Sequence, residues 1–185
     1  MDKNSIRAMM RTRRREVSVE DKAAAEAGIC KQLLALMNAG MPETVVAVYL
    51  ASPDEISLDG FIKQALQVGL QIVAPRWNGN TYQLARLKGL DETCLRYGPM
   101  GIREPMAEDI VLPQDVGAWL VPGLAFTADG RRLGYGGGWY DRLLSMASSS
   151  SAKLGIAYQF QMLDDLPSEP HDVKLTAIVL NNGTL

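Results

Sequence analysis

Two cysteines, one histidine and no long apolar run in 185 residues each remove a class of protein. Cys30 and Cys94 are too few for a disulfide framework and lack the close paired spacing of a zinc or redox motif, which suits a reducing compartment. His171, the lone histidine, cannot build a histidine-rich metal site, and a serine triad that used it would also need a G-x-S-x-G elbow, which is missing. No stretch of about 18 apolar residues occurs, and no apolar segment follows the basic N-terminus, so neither a membrane span nor secretion is expected. Neither sign of charge dominates: a net charge of −2 gives no reason to expect nucleic acid or an anionic membrane as partner. A cytoplasmic protein with small-molecule ligands is the expectation, and any anion site must be local.

With 47% hydrophobic and 22% charged residues, the composition is that of a folded globular protein, and the length suits one domain over residues 1–185. Residues 3–15, KNSIRAMMRTRRR, place Ile6, Met9 and Met10 at helical spacing and repeat Lys3, Arg7, Arg11 and Arg15 every four residues, so a helix here carries a cationic stripe. Ser18 with Asp21 signals the start of a second helix, which runs to about Asn38 and stops at Gly40 and Pro42. TVVAVYL at 44–50 reads as a strand covered on both faces, ASPDEIS as a turn, 57–68 as a helix closed by Gly69, and QIVAP at 71–75 as another strand. TYQLARL reads as a more exposed strand and 88–117 mostly as loop; AWLVP, KLGIAY and KLTAIVL are strand-like. SSSS at 148–151 reads as a flexible link after a helix that starts near Gly138 and ends about Ala147. The alternation predicts a three-layer α/β/α domain with a largely parallel central sheet.

RRLGYGGGWYDR at 131–142 is the most unusual stretch. Glycines at 134, 136, 137 and 138 allow backbone N–H groups to approach a bound group closely, which suits phosphate; four glycines could equally just turn a corner. No Gly-Lys-Ser/Thr ending is present, and Trp139 stands where G-x-G-x-x-G needs glycine, so the two common phosphate patterns are not met. Charge compensation for a nucleotide would come from Arg131, Arg132, Lys3 and Arg7, and carboxylates for an accompanying Mg²⁺ from Asp141 and Asp172; taken alone, the stripe reads rather as a solvated helix face and Asp172 as a residue that caps or turns the chain.

VPGLAFTADGRRLGYGGGWYDR at 121–142, with KNSIR at 3–7, YLASPDEI at 49–56, GPMGIREP at 98–105 and LPSEPHDVKLTAIV at 166–179 in the same order, resembles the 5-formyltetrahydrofolate cyclo-ligase family, also called 5,10-methenyltetrahydrofolate synthetases. Thr127, Trp139 and Thr176 depart from the family's usual Asp, Tyr and Asp, and Gly137 stands where some relatives carry Lys.

The resemblance implies an ATP- and Mg²⁺-dependent closure of 5-formyltetrahydrofolate to 5,10-methenyltetrahydrofolate, with ATP as co-substrate and ADP and phosphate as products. It assigns Lys3, Arg7, Arg132, Leu133, Gly134, Tyr135, Gly136, Gly137, Gly138, Trp139 and Tyr140 to ATP, and Asp141 and Asp172 to the metal. Leu50 and Glu55 fall to the folate together with Tyr135, Gly136, Gly137, Gly138 and Trp139. Arg132, Tyr135, Gly136, Gly137 and Gly138 surround the transferring phosphate as catalytic positions. A carboxylate such as Glu55 can accept paired donors from a pterin ring. A monomer is expected. The competing readings are a sugar-phosphate isomerase or CoA-transferase-like enzyme, which would use similar glycine loops, and a non-catalytic folate- or nucleotide-binding protein.

Overall fold

The computed structural model describes residues 1–39, 44–167, 169 and 172–184. The expected stop of the second helix at Gly40 and Pro42, and His171, lie outside the described residues. Among the described residues, four α-helices and a sheet of eight strands make up the frame: α1 (Lys3–Arg15), α2 (Val19–Asn38), α3 (Asp59–Gln67) and α4 (Trp139–Ser145), with β1 (Val45–Ala47), β2 (Gln71–Trp77), β3 (Tyr82–Arg86), β6 (Ile110–Val111), β7 (Val116–Val121), β10 (Ala152–Ala157), β11 (Ala177–Leu180) and β12 (Gly183–Thr184). Two small hairpins stand apart from it, β4 (Leu95–Tyr97) with β5 (Arg103–Pro105), and β8 (Ala125–Phe126) with β9 (Arg132–Leu133).

The sheet order is β12-β11-β10-β7-β1-β2-β3-β6. The five central strands, β11 to β2, run parallel, and antiparallel partners close both edges. From β1 the chain adds β2 on one side, then crosses to add β7, β10 and β11 on the other, so the direction of winding reverses between β1 and β7. In open α/β sheets the crevice beyond the carboxyl ends of the strands at such a reversal is where ligands bind.

Both faces of the sheet are covered, as the apolar runs require. On one face α2 buries Ala25, Ile29, Leu33 and Met37, spaced four apart, and α3 buries Phe61, Ile62 and Ala65. On the other, Leu143 and Leu144 of α4 pack with Trp119, Val121 and Phe126. The first helix stays off the sheet: Ile6 and Met10 pack on Leu124, Ala125 and Leu133 of the β8–β9 hairpin, and the Asp2 carboxylate caps its start by accepting from Asn4 N (2.9 Å) and Ser5 N (3.1 Å). Ser18 Oγ accepts from Asp21 N at 3.0 Å, the predicted start of α2.

Three segments differ from the sequence reading. The stretch 88–117 holds β4, β5, β6 and the start of β7, strands too short to show alternation. β3 is interior, paired on both sides, with Leu84 and Ala85 buried. The serine run is a closed turn: Ser151 is buried, and the buried Lys153 ammonium donates to Ser148 O (3.1 Å), Ser151 O (3.3 Å) and Ser151 Oγ (3.1 Å), which ties the turn to β10.

Two helical glycines face opposite situations. A Cβ at Gly28 in α2 would meet the Asn181 carbonyl oxygen at 2.5 Å, whereas one at Gly60 in α3 would meet only Cys30 Sγ, at 3.8 Å. Gly28→Ala is expected to lower stability by about 1–3 kcal/mol through overpacking against backbone, and Gly60→Ala to raise it by up to about 1 kcal/mol through helix propensity; urea unfolding midpoints measure both.

Candidate active site

Beyond the carboxyl ends of the central strands the surface opens into a cleft of about 240 Å³. One wall is α1, whose capped start and apolar docking face fix the direction of its cations. Lys3 Nζ donates to Glu169 Oε1 (2.8 Å) and stands 3.5 Å from Asp172 Oδ2, and Arg7 Nε donates to Gly134 O (3.0 Å). The other wall is residues 134–138. Gly136 has φ +105° and Gly138, which caps α4, has φ +64°, conformations that a side chain resists. The floor comes from β9 and α4: Arg132 Nη2 is paired with Asp141 Oδ1 at 2.5 Å, and Arg132 Nη1 donates to Pro122 O at 3.2 Å.

This cleft brings together the residues that the resemblance assigned to ATP and metal: Lys3, Arg7, Arg132 to Tyr140 along the segment, Asp141 and Asp172, and it adds Glu169. Three cations and three carboxylates lining one concavity can take an anion and a hard cation together. Among the described residues no group of three or more His, Cys, Asp or Glu side chains forms a complete metal cage. Asp141 and Asp172 offer the carboxylate oxygens through which a hard cation such as Mg²⁺ is usually bound, one or two at a time with phosphate oxygens and water completing the shell.

Behind the segment lies a small second cavity, about 10 Å³, room for one water at most. It sits at the reversal of the sheet, lined by residues that follow β1 (Tyr49, Glu55, Ile56), β7 (Pro122, Gly123) and β10 (Tyr158, Gln161), and by Arg14. Glu55 serves two purposes. Its Oε2 accepts from Ser52 N and Ser52 Oγ, both at 2.8 Å, and so closes the turn after β1, while Oε1 accepts the Tyr135 hydroxyl. Tyr135 therefore joins the two spaces, its backbone on the cleft and its phenol on Glu55. Burial, reinforced by the Glu55 carboxylate, pushes that phenol far above its ordinary pKa, so it stays a donor.

Leu50 is buried in the core past the end of β1 and lines neither cavity, and Arg131 is engaged elsewhere, with Asp129, Asp165 and Leu166 O. The cationic stripe ends on Arg14 rather than the exposed Arg15. Arg14 escaped the sequence reading because it sits among three consecutive arginines; its position seven residues, two helical turns, beyond Arg7 is the signal that singles it out. GPMGIREP also gains a role: Glu104 accepts from Arg96 Nε (2.9 Å) and Trp77 N (2.8 Å), which pins the β4–β5 hairpin to β2 and sets Trp77 against Trp139, ring centroids 5.3 Å apart. The departures at 127 and 176 are absorbed locally, Thr127 Oγ1 accepting from Arg131 N (3.1 Å) and Thr176 Oγ1 from Lys153 N (3.0 Å).

An ionic cleft and a polar pocket, both at the carboxyl ends of parallel strands, define an α/β enzyme domain for charged small molecules. The chain belongs to the 5-formyltetrahydrofolate cyclo-ligase family, which it matches over residues 1–181. It is 27% identical over 182 residues to the 5-formyltetrahydrofolate cyclo-ligase of Mycoplasma genitalium, an alignment covering 98% of this chain and 99% of that one. Among solved structures it is similar to the 5,10-methenyltetrahydrofolate synthetase of Aquifex aeolicus, with a TM-score of 0.86 and 29% identity over 100% of this chain and 92% of that one. The Mycoplasma pneumoniae synthetase gives a TM-score of 0.80 at 25% identity, over 98% and 99% of the two chains. The isomerase, CoA-transferase-like and non-catalytic readings give way to this membership.

Gly136→Val should abolish turnover while leaving thermal unfolding within a few degrees of the parent, because a β-branched residue at φ +105° costs about 1–3 kcal/mol locally and is relieved by displacing the segment. Normal turnover in that variant would remove the segment from the reaction.

Proposed function

We propose that this protein closes 5-formyltetrahydrofolate to 5,10-methenyltetrahydrofolate at the expense of ATP. The observation that carries the reading is that residues 134–138 line the ionic cleft while the Tyr135 phenol among them reaches Glu55 and Arg14 of the second pocket, so a phosphate in the cleft would meet a folate held at Glu55. An N5-formyl oxygen is a poor leaving group. Transfer of the γ-phosphoryl group to it gives an iminium phosphate, N10 attacks the activated carbon, and phosphate departs with that oxygen. Such a transfer asks for positioning and charge neutralisation more than for covalent help.

In this reading Lys3, Arg7 and Arg132 neutralise the triphosphate, and the backbone of 134–138 approaches the transferring group. Mg²⁺, held by Asp141 and Asp172, would offset charge on the phosphate oxygens. For that, the Arg132–Asp141 and Lys3–Asp172 contacts must loosen, so the acidic side chains keep the cations in place until nucleotide and metal take both over. Glu55 orients the folate, and Trp139 and Tyr140 wall it off from water. One domain in one chain holds every group named, so a monomer suffices, and the two unbridged cysteines suit the cytoplasm. No helix among the described residues is long and apolar enough to cross a membrane.

Purified protein with 5-formyltetrahydrofolate and Mg²⁺ is expected to form methenyltetrahydrofolate, followed by absorbance, only when ATP is added, with one ADP released per product. EDTA should stop the reaction and excess Mg²⁺ restore it. Product without ADP, or turnover insensitive to EDTA, would overturn the reading.

A further inference from the structure

Arg14 is a buried charged side chain beside the site, 5% exposed, and the mechanism above makes no use of it. Its Nη2 donates to Asp54 Oδ2 at 2.8 Å and its Nη1 to the Tyr135 hydroxyl, while its Nε is buried with no partner. The Tyr158 hydroxyl, on a residue 6% exposed, lines the same cavity and is also unpartnered. Buried polar groups are normally satisfied, so two orphans on one cavity mark a place where a polar partner belongs.

The Tyr135 oxygen shows what that partner must offer. It donates to Glu55 Oε1 and accepts from Arg14 Nη1, so it fills a point with an acceptor on one side and a cationic donor on the other. Both lone pairs of Glu55 Oε2 are taken by Ser52, which leaves a single carboxylate oxygen facing the site. A pair of donors is therefore not what the pocket is arranged to receive. A neighbouring N–H and C=O is.

Resting on the folate reading, we propose that Arg14 and Glu55 together read the lactam edge of the pterin ring, Glu55 Oε1 accepting its ring N–H and Arg14 donating to its adjacent carbonyl. Arg14 is then a specificity-determining residue. Tyr135 holds the place until substrate arrives, and the glycines at 134 and 136 beside it let the phenol withdraw. A ring with an amino group in place of that carbonyl would set donor against donor and leave the guanidinium unpaired, which a buried charge tolerates poorly.

The test is binding of a 2-amino-4-oxo pteridine and of its 2,4-diamino counterpart, by calorimetry in neutral buffer, where the lactam keeps its N–H and the diamino ring is unprotonated. The parent protein should prefer the oxo compound by at least about tenfold. Arg14→Gln, whose amide can turn to donate or accept, should lose that preference and raise the KM for 5-formyltetrahydrofolate by about 10- to 100-fold, with the KM for ATP little changed. Should that variant fail to fold, Arg14→Met, which fills similar space and offers no donor, carries the same expectation. Tyr135→Phe should keep the preference, since both reading groups remain. A parent without oxo preference, an unchanged preference in the Arg14 variants, or its loss in Tyr135→Phe would overturn the assignment. A parent that binds ATP but neither pteridine nor 5-formyltetrahydrofolate would overturn the folate reading beneath it.

Discussion

The seat of α1 on the β8–β9 hairpin is the contact on which the rest of the site depends. Ile6 and Met10 bury completely there, and because side chains four apart share a face, their placement fixes where Lys3, Arg7, Arg11 and Arg14 project. Each of the last three reaches the same short segment: Arg7 the carbonyl of Gly134, Arg11 the carbonyl of Tyr135 at 3.5 Å, Arg14 the phenol. A segment with four glycines has high conformational freedom in isolation. Here three guanidiniums on an outlying helix restrain it, and apolar burial elsewhere orders those guanidiniums. The sheet lends the site the chain that leaves β1, β7 and β10, which lines the second pocket.

The winding of the sheet explains why the second cavity is polar. At the reversal between β1 and β7 no crossover covers the strand ends, and the chain leaving β1, β7 and β10 must satisfy its own backbone there. Gln161 does part of this, its amide nitrogen donating to Gly123 O (2.9 Å) and Leu124 O (3.0 Å) and its oxygen accepting from Tyr158 N (3.0 Å). Glu55 does the same after β1 through Ser52. Polar side chains needed to finish the loops are thus gathered at one spot and face a ligand with whatever valence they have left.

What the amino-acid sequence disclosed and what it hid divide along physical lines. β7, β10 and β11 are covered on both faces, so their apolar runs stand out, and α2 announces itself through Ser18 and a row of apolar residues four apart. β4, β5 and β6 span two or three residues, below the length at which alternation can be read. The serine run looked flexible because composition does not disclose that Lys153 lies beneath it. Glycine spacing and a basic stripe point to a phosphate site independently of any family resemblance, but nothing local ties Glu55 to Tyr135, eighty residues apart, or Arg14 to Asp54. Those meetings follow from strand order, which periodicity does not encode.

The tryptophans carry one last consequence. Of the three in the chain, Trp119 is sealed in the core at 1% exposure, while Trp77 and Trp139 meet edge to face at the lip of the cleft, with Tyr82 against both and the Arg142 guanidinium 4.0 Å above the Trp139 ring. Trp139 follows directly on the glycines, whereas Trp77 is anchored to the sheet. Their separation is consequently a ruler for the loop, and the molecule's own ultraviolet emission contains a signal of loop position beside an invariant internal standard, with no dye attached.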